Sequence, residues 1–233
     1  MKKMISILSI LTASLALMGS SQADIGAVRY KDFPVSSILK SDAVLRSAKE
    51  IGNIILLPVD AFDEEEAAKI VSTIDHLPQE LLAKVVDENI KVKLFSGRLT
   101  ENSTARHLAG IIPRGYESAL TWDEVPGIGG GKTVLVKIGF SEKGMGHGSV
   151  NLELHELAHS IERHVYKEIR YNHQFQSIWK EEHGLLFPGH AYFATFPEEY
   201  FAESFALYFY NAASRSHLYE NAPKTFNFIK NLQ

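Results

Sequence analysis

The sequence predicts an α+β domain: an N-terminal, mostly helical part with a small twisted sheet, then one long helix and C-terminal helices. Three observations predict it. Between residues 36 and 140 the apolar positions switch back and forth between a helical period and strict alternation. The apolar spacing is helical over 150–169 and again over 198–210, and a proline lies close to the start of each of two later segments, the one over 198–210 and the tail from Pro223. The chain is 45 % hydrophobic and 22 % charged and has no cysteine, so a packed core, not disulfides, has to hold it.

Each element has a local reason. Residues 36–50 carry helical periodicity. Residues 53–59 read as a short buried strand, with Ile54, Ile55, Leu56 and Leu57 at its centre and Pro58 ending it. Residues 63–76 open with four acids, Asp63 to Glu66, which suit a helix N-terminus because its exposed N–H groups favour negative charge. Pro78 starts a further helix to residue 88. Residues 90–95 and 132–140 alternate as strands, and the glycine cluster 127–131 reads as a loop between them. Residues 150–169 form the long helix, with Ser149 available as its N-cap and Leu152, Leu157, Ile161 and Val165 as its apolar positions. A helix over 198–210 and a short docked helix from Pro223 complete the chain.

Met1-Lys2-Lys3, an apolar stretch from Met4 to Met18 and the small-x-small tripeptide Ser21-Gln22-Ala23 read as a signal peptide over 1–23. Residues 24–233 are then one domain, secreted to the extracellular space, with no membrane span after cleavage. The formal charge of −4 becomes more negative by two when the leader's two lysines are removed. That balance argues against nucleic acid as a partner. A monomer is expected.

His155-Glu156-Leu157-Ala158-His159 spells H-E-x-x-H inside the long helix. Residues four apart share a helix face, so both imidazoles can meet one metal ion, and Glu156 can reach a water on it. The bland alternative is a pair of core histidines. A zinc site needs another ligand. The metzincin pattern would place glycine and histidine where this chain has Glu162 and Val165. A glutamate from a later helix is the remaining source. Glu199 and Glu203 are i, i+4 neighbours there; one can ligate while the other hydrogen-bonds a ligand histidine. Glu198 points elsewhere, toward substrate or solvent. His147, in the glycine-rich stretch 144–148, either contacts substrate or caps its loop. Gly131-Lys132-Thr133 is not a phosphate loop, because Pro126 stands where glycine is required and a strand follows.

Several stretches, in order, resemble one family. They are His155 to His159, Tyr192 seven residues before Glu199, Glu199-Tyr-Phe-Ala-Glu-Ser-Phe205, and Asn221-Ala-Pro-Lys-Thr-Phe-Asn-Phe-Ile229. Thr121-Trp-Asp-Glu-Val-Pro-Gly127 and Gly146-His-Gly-Ser-Val-Asn-Leu-Glu-Leu-His155 belong with them. The chain resembles the catalytic domain of anthrax lethal factor and, more closely, its single-domain relatives, the secreted Pro-Pro endopeptidases. Ala158 is one departure, standing where these families usually have glycine. The resemblance implies a zincin-like metalloprotease domain with one Zn2+ held by His155, His159 and Glu199, leaving Glu203 to support a ligand. It implies Glu156 as the base that activates the zinc-bound water, Tyr192 as a hydrogen-bond donor to the transition state, and Trp122 beside the substrate. Together with Trp122, His147 and Glu198 complete the expected substrate-binding set. The implied substrate is a proline-rich segment of a bacterial surface protein, cut between two prolines. A toxin protease acting on host proteins and an inactive peptide-binding relative are the alternatives.

Overall fold

The computed structural model describes residues 26–41, 44–114 and 120–232; the leader expected over 1–23 lies outside them. Strand β1 (Ala27–Arg29) opens the described chain, followed by helices α1 (Ile38–Ser41) and α2 (Ala48–Ile54). The single helix expected over 36–50 is therefore two. The break is anchored by the buried Asp75 carboxylate, which accepts from the backbone N–H groups of Arg46 at 2.7 Å and Ser47 at 2.8 Å. Because α2 runs on to Ile54, strand β2 starts later than expected, at Ile55–Pro58.

Helix α3 (Glu64–Asp75) begins as its acids predict, with the Asp63 carboxylate accepting from the Glu66 N–H at 3.0 Å. Helix α4 (Gln79–Asp87) follows Pro78, and then come strands β3 (Lys91–Phe95), β4 (Gly127–Ile128) and β5 (Thr133–Lys137). The sheet order is β1-β2-β3-β5-β4; β2, β3 and β5 run parallel, and β1 and β4 run antiparallel to their neighbours. Register explains the two faces. Ile55 pairs Val92, which pairs Val134, and Leu94 pairs Val136; these residues all enter the main core with the helices. The other face carries Phe95 and Leu135, which pack with Leu99, Ala105 and Val125 of the long β3–β4 connection. The glycine cluster is thus not all loop: Gly127 and Ile128 pair with Val136 and Leu135 as an edge strand.

Helix α5 (Leu152–Ser160) carries the H-E-x-x-H residues. Its N-cap is Asn151, not Ser149: the Asn151 side chain accepts from the Leu154 N–H at 3.0 Å, while the Ser149 hydroxyl donates to the Asn151 carbonyl. The helix is also shorter than expected. It passes into one π-helical turn over Ile161–Val165, and Lys167 and Glu168 then take positive φ (55° and 66°), which ends it. Helices α6 (His173–Leu186), α7 (Ala191–Thr195), α8 (Pro197–Tyr210), α9 (Ala212–Asn221) and α10 (Pro223–Lys230) complete the fold. Helix α8 packs most extensively on α5, burying Tyr200, Phe201 and Phe205 in the main core. This packing brings two sequence-distant segments together at the site. Among the described residues no helix is long and apolar enough to cross a membrane.

Candidate metal centre

The helical period puts His155 and His159 on one face of α5, and the packing of α8 brings Glu199 against them. His155 Nε2 and His159 Nε2 are 3.2 Å apart, and Glu199 Oε2 is 3.4 Å from the first and 3.3 Å from the second. The three atoms make a nearly equilateral triangle. A tetrahedral ion with bonds of about 2.0–2.1 Å has ligand–ligand edges of roughly 3.3–3.4 Å, so one zinc-sized ion fits over this triangle. Two imidazole nitrogens and one carboxylate oxygen also suit zinc chemically. Among the described residues, this is the group of three that could hold a metal ion.

The histidine tautomer follows from Glu203. Its buried carboxylate lies 3.0 Å from His155 Nδ1 and also accepts from the Val150 N–H at 2.9 Å. His155 therefore donates through Nδ1 and turns the lone pair of Nε2 to the triangle. Burial opposes charge on the His155 ring, but the hydrogen bonds to Glu199 and Glu203 outweigh it and raise its proton affinity well above the ordinary value. Burial likewise opposes ionisation of Glu199, yet His155 and His159 hold its carboxyl below the usual carboxylate range. A pocket with this field attracts positive charge at the triangle's centre.

Glu156 lies beside the triangle. Burial pushes its carboxyl up, with His155 and His159 pulling against it. A Cβ on Gly129 would sit 2.0 Å from the Glu156 carbonyl oxygen, so only glycine lets β4 and its following turn lie this close to α5. Tyr192, on α7, lies near Glu199 and Arg114, and burial and the Glu199 charge raise its pKa.

A helix with H-E-x-x-H, backed by an edge strand and completed by a glutamate from a second helix, can be compared with known proteins. Residues 41–232 match the family described as anthrax toxin lethal factor, N- and C-terminal domain. The chain belongs to this family. A relative from Clostridioides difficile named Pro-Pro endopeptidase is 38 % identical over 200 residues, spanning 85 % of this chain and 90 % of its own. A Paenibacillus alvei relative of the same name is 37 % identical over 183 residues, spanning 78 % of this chain and 84 % of its own. The solved structure of the Paenibacillus alvei Pro-Pro endopeptidase PPEP-2 superposes with a TM-score of 0.73 at 37 % identity, covering 77 % of this chain and 97 % of that one. The mixed α and β architecture with a small sheet is thus the family's own.

The other residues singled out in this lethal-factor relative fall in three places. Trp122 is half-buried against the Phe95, Leu99 and Leu135 cluster, and its backbone N–H donates to the Ile111 carbonyl at 2.8 Å. Its neighbour Asp123 accepts from the Thr100 hydroxyl, the Gly110 N–H (2.8 Å) and the Thr121 hydroxyl (2.9 Å), which pins the segment. These bonds lower the Asp123 carboxyl to about 2. His147 pairs with the Phe140 carbonyl at 2.8 Å, so the structure gives it a loop-holding bond. Glu198 is held by two arginines: Arg114 Nη2 donates to its Oε1 at 3.0 Å, and Arg170 Nη1 lies 3.6 Å from the same oxygen.

Arg114 was not singled out in the sequence, yet it lies at the site. Its guanidinium sits 3.8 Å from the Phe196 ring centroid, and Nη2 donates to Glu199 Oε1 at 3.3 Å. No local pattern marks it, because its partners are 84 and 85 residues away.

Proposed function

We propose that this family member is a secreted, zinc-dependent endopeptidase that cuts proline-rich segments of bacterial surface proteins between two prolines. The observation that carries the reading is the triangle of His155 Nε2, His159 Nε2 and Glu199 Oε2, with 3.2–3.4 Å edges and Glu156 beside it. The shared name of the two relatives, Pro-Pro endopeptidase, supports the choice of bond. The leader-like residues 1–23 support secretion.

In this reading His155, His159 and Glu199 hold one Zn2+, with Glu203 fixing the His155 ring. Bound zinc supplies a Lewis acid that polarises the scissile carbonyl and acidifies a water. Glu156, beside the triangle, would take a proton from a water at the site and return it to the departing amine. Tyr192 stays protonated far above neutral pH and can donate its O–H to the oxygen on which negative charge develops. Strand β4 is the edge of the sheet, and Gly127 lies against Glu156 and Leu152. An extended peptide adding to that edge would run past the metal group. Proline lacks an N–H and has a fixed φ, so a rigid aromatic face such as Trp122 replaces hydrogen bonds in recognising it.

The test is cleavage of a peptide library with Pro-Pro at its centre by the chain from Asp24 onward. Cutting between the prolines, abolished by a zinc chelator and restored by zinc, is the expected result. Zinc binding without any cutting would favour an inactive peptide-binding relative. Cutting only at bonds lacking a proline pair would favour the lethal-factor-like alternative.

A further inference from the structure

Glu162 lies one residue into the π turn that ends the metal-site helix, and it is 0 % exposed. A buried carboxylate is costly unless it is paired and hydrogen-bonded. Here it is fully answered by Arg170. The Arg170 backbone N–H (2.8 Å) and Nε (3.0 Å) donate to Glu162 Oε1, and Nη2 donates to Oε2 at 2.6 Å. Such a two-pronged grip fixes the plane of the guanidinium.

The fixed plane has a consequence beyond the pair. It leaves Nη1 facing Glu198 Oε1 at 3.6 Å. Arg114, stacked on Phe196, donates to that same oxygen and spans to Glu199 Oε1. The charges alternate without a gap: Glu162, Arg170, Glu198, Arg114, Glu199. One end of this series sits just beyond His159. The other is the glutamate whose second oxygen faces both histidines. With Oε1 engaged by Arg114, Glu199 has only Oε2 to offer at the triangle.

We propose that the ion-paired series Glu162–Arg170–Glu198–Arg114 is a positioning network that ties the two metal-binding helices together and keeps Glu199 a one-oxygen ligand. This rests on the metal-site reading above. Arg170 is its central positioning residue, anchored on the helix of His155 and His159 and acting on the helix of Glu199. One-oxygen ligation matters because a catalytic site has to keep a coordination position open. A carboxylate free to turn can close that position with its second oxygen.

Arg170→Met would strand the buried Glu162 charge and endanger folding, so the test uses gentler changes. Arg170→Lys keeps the charge and loses the fixed plane; Glu198→Gln keeps the shape and removes the bridging charge. In the chain from Asp24 onward, zinc affinity is measured by chelator competition, and the visible spectrum of the cobalt(II)-substituted protein reports coordination number. Both variants are expected to bind zinc about tenfold more weakly, at the low end of what loss of a ligand's supporting partner costs. Their cobalt bands should weaken as the ligand count rises. Wild-type zinc affinity and an unchanged cobalt spectrum in both, whatever the melting temperature, would reduce the series to fold stabilisation and overturn the proposal. If the unaltered protein itself bound neither metal, the metal-site reading would fail, and the network with it.

Discussion

Helix α5 with α8, on one side, and the Trp122 segment, on the other, are held in place by different forces. On the helical side the groups around the histidines are charged and shielded: Glu162 and Glu203 are buried, and each is matched by a partner of fixed geometry. On the Trp122 side a small apolar cluster is supplemented by hydrogen bonds to Asp123 and Glu124 near the surface. Reaction chemistry needs ligand positions held within a fraction of an ångström, and buried ion pairs resist displacement because losing one partner leaves an expensive charge. Under the proposed function, recognition of a rigid proline needs a shaped wall, which packing and a few exposed bonds can supply.

Substitutions can break this contrast, and the largest effects belong on the helical side. His159→Ala and Glu199→Ala should each lose stoichiometric zinc and, with it, turnover; metal analysis of the purified variants decides, and full occupancy in either would remove that residue from the ligand set. Glu156→Ala should keep zinc and fold while turnover falls on the order of 10²–10⁴-fold, the range expected for a general acid–base group. A variant cutting at the wild-type rate would refute its role as base. On the other side, Trp122→Leu keeps apolar bulk but loses the flat ring. It should leave zinc content unchanged and lower kcat/KM on a Pro-Pro peptide by roughly ten- to a hundredfold. An unaltered kcat/KM would mean that the ring serves packing alone.

The same contrast governs what could be read from the residues alone. The metal helix was legible because two histidines and a glutamate at fixed spacing announce a shared face. Strands β3 and β5 were legible through apolar alternation, and β2 through its continuous apolar run ended by Pro58. Helix α6 was not anticipated: a core-facing slot is filled by Glu182, which is buried by bonding to the Lys224 and Thr225 N–H groups, so the apolar period is interrupted. Helix α9 went unseen because it buries only Ser214 and Leu218 and depends on the Asn211 cap. Strand β4 has two residues, too few for any period. Glu199 was identified through resemblance to the family. Arg114 was invisible because an ion pair between distant segments leaves no local pattern; Arg170 reaches Glu162, eight residues back, only because Lys167 and Glu168 turn the chain at positive φ, which no apolar period signals.

Acid separates the two sides by a smaller effect. Imidazoles ligate only when neutral, so acid that protonates the two histidines should release zinc. Asp123 behaves differently. Its carboxyl is lowered from 3.8 to about 2 by the Thr100, Gly110 and Thr121 bonds. A depressed carboxylate pKa means that the folded segment holds fewer protons than the unfolded one between those values, so stability is lost as acid is added. Its contribution is complete above the ordinary value, fades as the pH falls toward about 2, and is gone below. Fluorescence of Trp122, read with Trp179→Phe to remove the other tryptophan, should therefore stay constant through the zinc-release range and change only below about pH 4. Asp123→Asn should abolish that late change and leave zinc release where it was. A Trp122 signal that moved together with zinc release would show that the segment takes its position from the metal-binding helices, and not from Asp123.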